Sequence, residues 1–347
     1  MTYVRNAWYV AAWAQDLEPD RPMAISILNE PIVLWSAEDR LVAFEDRCLH
    51  RLAPLSLGRC EGARLRCMYH GLLFDADGAV VQIPGQDMIP PQARLRSYPV
   101  ELRHSWVWIW MGDPARADPA LIPPAVGFDN PDYILGRGFL DYAAEARLIN
   151  DNLLDFSHLS YVHAESFGAG PEFADERPRL TPLERGVRFE RWVVGTHGPG
   201  RRKSDALIDS WQTYDFLLPG ILLMWSGSFV AGTAERCGFA QPDYAEAIGA
   251  VTFTSQAVTP TGDRTARYFF SWGPHRDHGD EAIRDMLMTL ADRAFAEDKV
   301  MIEAQQRVID RTPSPRIMPT VHDRGVTLFN RLVERLARAE AGEAEAA

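Results

Sequence analysis

Three things are scarce in this sequence, and each scarcity removes a class of answers. No stretch approaches the roughly 20 apolar residues of a membrane-spanning helix, and the opening residues Met1 to Arg5 carry no apolar secretion-signal core. A membrane-anchored electron carrier is therefore not expected, no membrane partner is anticipated, and a cytoplasmic location is the default. Basic residues are outnumbered: 36 Lys and Arg against 48 Asp and Glu give a formal net charge of −12. Nucleic-acid binders carry basic patches, so nucleic acid is excluded as a partner, whereas an acidic surface is compatible with docking to a basic patch on another protein. Cysteine is limited to Cys48, Cys60, Cys67 and Cys237, and a structural disulfide between Cys60 and Cys237 is not expected in a reducing compartment. No internal repeat is visible.

What is present is a pairing of two short motifs. Cys48-Leu49-His50 is followed, after 16 residues, by Cys67-Met68-Tyr69-His70. Two thiolates and two imidazoles in two loops suit either a zinc site or a [2Fe–2S] cluster in which two His replace two Cys on one iron, the Rieske centre. Zinc fingers usually group the two Cys together and the two His together. Here each loop carries one of each, which favours the two-iron cluster. Gly58, Gly71 and Gly78 punctuate short apolar runs around the loops, as in a small β-domain. Cys60, between the loops, is either a spare ligand or a small buried residue.

The length of 347 residues suits two domains, and 46% hydrophobic content is ordinary for a globular chain. Residues 1–115 read as all-β, with apolar runs such as Pro31 to Trp35 and Trp106 to Trp110 separated by Asp77-Gly78, Pro84-Gly85 and Pro90-Pro91. A Pro-rich linker follows, and residues 116–347 form the second domain. Its pattern predicts a helix over Arg147 to Val162 and a Gly-, Pro- and charge-rich excursion over 166–205. Strands are expected at Val187–Val194, Ser210–Phe216, Ile221–Trp225, Ala250–Val258 and Tyr268–Trp272. A long amphipathic helix is expected over Glu281 to Val308, another over Asp323 to Ala341, and a frayed tail after it. The fold class is therefore α+β, the second domain built on an antiparallel sheet with helices.

A second metal site is suggested by His158 and His163. Five residues rotate an α-helix by roughly 500°, leaving the two rings about 140° apart. For both to meet one metal, the helix must loosen or end between them. Two imidazoles and one carboxylate with other positions open describe the facial triad of O₂-activating non-haem iron. The third ligand must come from elsewhere; the long helix offers Glu297-Asp298 and Glu303, and Asp298 is the choice, although spacing alone does not separate it from Glu297. Asp155 lies three residues before His158, where a carboxylate is able to hold an iron-bound imidazole. Asn152 sits near by helical spacing and reads as a neighbour or pocket residue rather than a ligand.

These motifs together resemble the Rieske non-haem iron oxygenases, specifically the oxygenase components of the group that includes vanillate O-demethylases, dicamba O-demethylases and toluenesulfonate methyl-monooxygenases. The resemblance covers nearly the whole chain: Val4 to Ala12, both cluster loops, His104 to Pro114, Leu148 to His163 and Ala296 to Ala304. Leu49 departs from the group, where many members have Pro between the first Cys and His. The resemblance implies a Rieske domain followed by a helix-grip (START-like) catalytic domain. It implies that Cys48 and Cys67 hold one cluster iron, His50 and His70 the other, and that His158, His163 and Asp298 hold a mononuclear Fe(II). It assigns Asp298 rather than Glu297 to the acidic ligand position and makes Asp155 the bridge between centres of neighbouring subunits in a head-to-tail homotrimer.

The activity so implied is monooxygenation: NAD(P)H electrons arrive through a separate reductase, possibly with a ferredoxin, and one atom of O₂ enters a substrate C–H bond. For an aryl methoxy group the product collapses to a phenol and formaldehyde. A vanillate-like methoxylated acid is the expected substrate, with hydroxylation of an aryl methyl, a ring carbon or a larger hydrophobic ring as the alternative. A remote alternative is a pure electron carrier, which has no need of His158, His163 and Asp298. Alignment with the group places Met224, Gln256 and Thr289 at the substrate pocket. Arg188, Arg191, Arg202 and Arg267 are all available to meet an acid group, and sequence does not choose among them.

Overall fold

The computed structural model describes residues 3–38, 40–167, 170–197 and 206–346. Two compact units emerge: Tyr3–Ile122 with Thr259–Asp263, and Pro123–Val258 with the chain from Arg264 onward. The fold is α+β, as anticipated.

The first unit contains Trp8–Trp13 (β1), Met23–Ile27 (β2), Glu30–Ala37 (β3), Arg40–Glu45 (β4), Arg59–Cys60 (β5), Arg64–Arg66 (β6), Leu73–Asp75 (β7), Val80–Gln82 (β8), Ser97–Tyr98 (β9), Val100–Arg103 (β10) and Trp106–Trp110 (β11). They form three small sheets, β1-β11-β10, β2-β3-β4-β9 and β5-β6-β7-β8. The Trp-Val-Trp-Ile-Trp run of β11 is buried throughout at the centre of its sheet, which explains an unbroken apolar run where a half-exposed strand would alternate. Residues 259–263 count with this unit: Thr259 Oγ1 donates to the Val10 carbonyl at 2.6 Å and Leu28 N–H to the Pro260 carbonyl at 2.8 Å.

The second unit is organised on a seven-stranded sheet of order β12-β18-β17-β16-β15-β14-β13. Its strands are Gly136–Tyr142 (β12), Arg179–Leu183 (β13), Gly186–Thr196 (β14), Ile208–Leu217 (β15), Ile221–Val230 (β16), Thr252–Gly262 (β17) and Thr265–Pro274 (β18). The helices are Ala146–Leu153 (α1), Pro171–Asp175 (α2), Thr233–Arg236 (α3), Glu281–Asp310 (α4) and Arg324–Ala346 (α5). The α4 helix packs on β12 and β18, and α5 packs on β14. Asp280 caps α4 by accepting the Ile283 N–H at 3.0 Å, which fixes where the long helix begins. Toward its other end, Glu303 and Gln306 accept the N–H groups of Ala143 and Glu145, each at 2.9 Å, just ahead of α1.

Two expectations change. The helix foreseen over Arg147–Val162 stops early: α1 ends at Leu153, and a separate 3-10 turn spans Phe156–Ser160. Asp155 causes the break by turning extended (φ −135°) and accepting the Ser157 N–H on its own carboxylate at 2.9 Å. The excursion foreseen over 166–205 contains α2, β13 and β14, while 168–169 and 198–205, including Arg202, lie outside the described residues.

Candidate metal centres

The two cluster-loop motifs fold alike. In each, the Cys N–H donates to the carbonyl five residues on (Cys48 to Ala53, 2.8 Å; Cys67 to Leu72, 2.9 Å). In each, the Cys carbonyl accepts the N–H four residues on (Leu52, 3.0 Å; Gly71, 2.9 Å). That turn needs a left-handed residue at the fourth position, supplied by Gly71 (φ +79°) in one loop and by Leu52 (φ +59°) in the other. Cys48 and Cys67 point into the apolar core with Leu55, Leu65, Leu72 and Phe74. His50 and His70 are exposed, their rings 4.5 Å apart. Burial, with Cys67 as neighbour, pushes the Cys48 thiol up to about 11. A buried thiol in that range is a poor acid but a good ligand once a metal displaces the proton. Two buried thiols and two exposed imidazoles are a donor set that fits a [2Fe–2S] cluster, which these four residues would hold. Cys60 is half-buried, unbonded to another cysteine, and packed against the same core, the small-residue reading of that position.

In the second unit, the 3-10 turn brings His158 to the flank of α4, and the following turn brings His163. Their nitrogens and the Asp298 carboxylate lie within 4.8 Å of one another. Asp298 Oδ1 is 3.1 Å from His163 Nε2 and 3.6 Å from His158 Nε2. Both imidazoles are anchored through Nδ1, which leaves Nε2 facing Asp298. His158 Nδ1 bonds to the backbone carbonyl of Asp155 at 2.5 Å, and His163 Nδ1 to Glu297 Oε2 at 2.9 Å. Asn152 Nδ2 donates to Asp298 Oδ1 at 3.0 Å and lies 3.3 Å from His158 Nε2. Burial pulls His158 below the usual histidine range; it acts on His163 too, but there the Asp298 and Glu297 carboxylates outweigh it and hold the ring above that range. This donor set fits the two-His, one-carboxylate arrangement of non-haem iron.

The geometry revises two residue readings. Asp155 holds His158 through its backbone carbonyl, while its carboxylate caps the 3-10 turn. Glu297, weighed only as a rival ligand, is instead the orienting partner of His163, held in turn by Ser166 Oγ at 2.6 Å and Arg293 Nε at 3.2 Å. Adjacent helical residues reach one ring because Asp298 meets Nε2 and Glu297 meets Nδ1, on opposite edges. The acidic pair beside a ligand position was the only sequence signal for that role.

A cavity of about 550 Å³ lies against this group. Met224, Gln256 and Asn152 line it. Thr289 does not: it is exposed and turns its hydroxyl onto the Asp285 carbonyl at 2.8 Å. Nine residues separate it from Asp298, a rotation of about 180° on α4; Leu287 and Leu290 take the place expected of it. Gln256 Oε1 and Tyr214 Oη are buried without a hydrogen-bond partner.

Comparison with known proteins places this architecture. Residues 7–99 match the Rieske [2Fe-2S] domain family, and residues 142–339 match the vanillate O-demethylase oxygenase C-terminal domain family. The chain is 38% identical to the toluene-4-sulfonate monooxygenase system iron-sulfur subunit of Comamonas testosteroni over 98% of this chain and 99% of that one. It is 34% identical to the vanillate O-demethylase oxygenase subunit of Pseudomonas sp. strain HR199 over 99% and 98%. A crystal structure of dicamba monooxygenase with non-haem iron and dicamba superposes with a TM-score of 0.79 at 26% identity, covering 99% of this chain and 100% of that chain. The chain belongs to the Rieske non-haem iron oxygenases of the vanillate O-demethylase type, as a monooxygenase component that uses a Rieske [2Fe–2S] cluster and a mononuclear iron.

Proposed function

We propose that this oxygenase component removes the methyl group from a methoxylated, vanillate-like aromatic acid, releasing formaldehyde. The observation that carries the reading is the cavity of about 550 Å³ against His158, His163 and Asp298, a volume in the range of small-ligand sites. In this reading Cys48, Cys67, His50 and His70 hold the cluster, and His158, His163 and Asp298 hold the iron. When bound, the iron supplies O₂ activation, using electrons from NAD(P)H delivered through reductase and ferredoxin partners of the kind family members use. The protein's own groups do the rest. Phe156, Phe167, Leu287, Leu290 and Trp272 give the cavity an apolar wall that excludes water and seats an aromatic ring. Asn152 steadies Asp298, and Glu297 and the Asp155 carbonyl fix the two imidazoles. Asp155 carries the electron path between subunits of a head-to-tail trimer working in the cytoplasm. Among the described residues no helix is long and apolar enough to cross a membrane.

A second reading, hydroxylation of an aryl methyl group, is favoured by the toluene-4-sulfonate relative. Aerobic turnover of iron-replete protein with NADH and a surrogate reductase, on methoxybenzoates, toluates and toluenesulfonates, separates the two. Formaldehyde matched one-for-one by a phenol supports O-demethylation. A product heavier by one oxygen without formaldehyde moves the assignment to hydroxylation. An iron count of two rather than three per chain removes both in favour of an electron carrier.

A further inference from the structure

The cavity is long, and the candidate iron ligands stand at one end of it. Along α4 its lining runs from Asp298 back to Met286, twelve residues or about 18 Å of helix. The sheet floor gives a second length. Just ahead of β16, Gly220 lies against the Asn150 side chain of α1, two residues from Asn152. From that end the floor passes Met224, Ser226 and Ser228, and Met224 to Ser228 spans about 13 Å of strand. Helix and floor can be matched level by level. Phe295 packs on Phe270 of β18, ring centroids 4.8 Å apart, while Met288 lies against Gly136, the register partner of Trp272. Trp272 Nε1 donates to Thr252 Oγ1 at 3.1 Å, and Thr252 pairs in register with Ser226. The Ser226–Thr252 pair therefore sits at the level of Met288, ten residues down α4 from Asp298.

The chemistry of the lining changes along this length. Beside the histidines the wall is aromatic and aliphatic: Phe156, Leu159, Phe167 and Phe295. Beyond Trp272 the floor carries small polar side chains in two adjacent rows, Gln212–Ser226–Thr252 and Ser210–Ser228. Ser226 Oγ and Thr252 Oγ1 are 2.8 Å apart. Met286, Leu287 and Leu290 line this part from the helix. Serines on the floor leave room that larger side chains would fill, and they ask for hydrogen bonds. A wholly apolar occupant would strip water from these hydroxyls without replacing it, at a cost. The cavity's volume of about 550 Å³ is that of a drug-sized ligand, and one methoxylated ring seated beside the histidines leaves the serine-lined part vacant.

We propose that the far part of this cavity is a second subsite, in which Ser210, Ser226, Ser228 and Thr252 hold an alcohol, ether or amide side chain, so that the substrate is a methoxylated ring bearing a hydrogen-bonding tail. The proposal deepens the substrate reading above and rests on the cavity being the substrate site. A tail gripped by the sheet sets how the ring is presented to His158, His163 and Asp298.

Binding, measured by calorimetry on the oxidised holoenzyme, tests this independently of turnover. The probes are 4-methoxyphenol and its ether with diethylene glycol, the same ring with a polar tail. Two net hydrogen bonds are worth about tenfold in Kd. The wild type is expected to prefer the tailed probe by at least that factor. Ser228→Phe, which fills the far end, is expected to abolish the preference, and the Ser226→Ala/Ser228→Ala double variant to lose most of it. No preference in the wild type, a preference surviving in Ser228→Phe or intact in the double Ala variant, or equal loss for both probes overturns the proposal. If the Phe variant does not fold, Ser210→Leu on the neighbouring strand carries the same comparison. A serine-dependent preference with no demethylation of any methoxy compound leaves the subsite standing and removes the proposed reaction. Demethylation without that preference does the reverse.

Discussion

Replacing Glu297 by Ala tests whether the carboxylate next to Asp298 orients a metal-binding imidazole or binds the metal itself. Glu297 makes three contacts: His163 Nδ1 at 2.9 Å, Ser166 Oγ at 2.6 Å and Arg293 Nε at 3.2 Å. The Arg293 contact is an exposed i,i+4 pair worth only about 0.3–0.5 kcal/mol. The His163 contact governs the outcome because that ring is 1% exposed and has no other anchor for Nδ1 in view. Outer partners of this type change metal affinity by about 10- to 100-fold, or about 1.4–2.8 kcal/mol. Glu297→Ala is therefore expected to weaken iron binding by that factor, while Glu297→Gln, which keeps an acceptor oxygen, loses less than about tenfold. The assay is competition with a calibrated chelator under anaerobic conditions, with the cluster's visible absorption as internal control. Affinity within twofold of wild type for the Ala variant refutes the orienting role. Iron loss as complete as in Asp298→Ala refutes it differently, by making Glu297 a ligand.

Three further outcomes are expected. Asp155→Asn keeps an acceptor for the Ser157 N–H and the backbone carbonyl that holds His158, so both metal centres should assemble while turnover falls about 100-fold; near-normal product formation removes Asp155 from the electron path. Asp209 is fully buried and accepts N–H groups of Gly195, Gly232 and Ala234 at 3.2, 2.9 and 3.0 Å, so Asp209→Ala should cost about 3 kcal/mol or more, read as a shifted urea midpoint. The Arg66 guanidinium, helped by Arg59, holds Glu61 down to about 2 from 4.5, and Arg66 also donates to the Gly71 carbonyl at 2.9 Å. A depressed carboxylate stabilises above its unfolded pKa and loses that effect as pH falls through the folded value. The stability gap between wild type and Glu61→Gln should thus be constant above about pH 4.5 and close toward pH 2; a gap that widens on acidification contradicts the sign.

The cluster loops were legible because metal chemistry demands particular residue types at short spacing, and Cys48, His50, Cys67 and His70 sit in two local turns. The angular argument on His158 and His163 was also sound: five residues do not share a helical face, and the helix does end, two residues before Asp155. What sequence did not carry was which atom of Asp155 does the holding, since side chain and carbonyl belong to the same letter. Thr289 failed for a related reason. An alignment places a residue along α4, but helical phase decides which way it points, and Thr289 lies opposite Asp298. Nor does any local pattern distinguish Arg191 from Arg188 three positions earlier. One is buried and the other paired to Asp215 only because their strand alternates faces within a sheet assembled from distant segments.

The 30 residues of α4 make a rod about 45 Å long, and its two halves are subject to different demands. Downstream, Glu297, Asp298, Glu303 and Gln306 tie it to the histidines and to the start of α1. Upstream, Met286, Leu287 and Leu290 line the cavity, while Arg284 and Met288 lie against Gly136 of β12. Exchange of Met286, Leu287 or Leu290 is therefore expected to reshape the cavity wall, while the downstream contacts of Glu297 and Asp298 with the two histidines keep their place on the rod. A one-residue insertion between the halves has the opposite effect: it turns the upstream face by about 100° and parts the guest from the metal while leaving both intact.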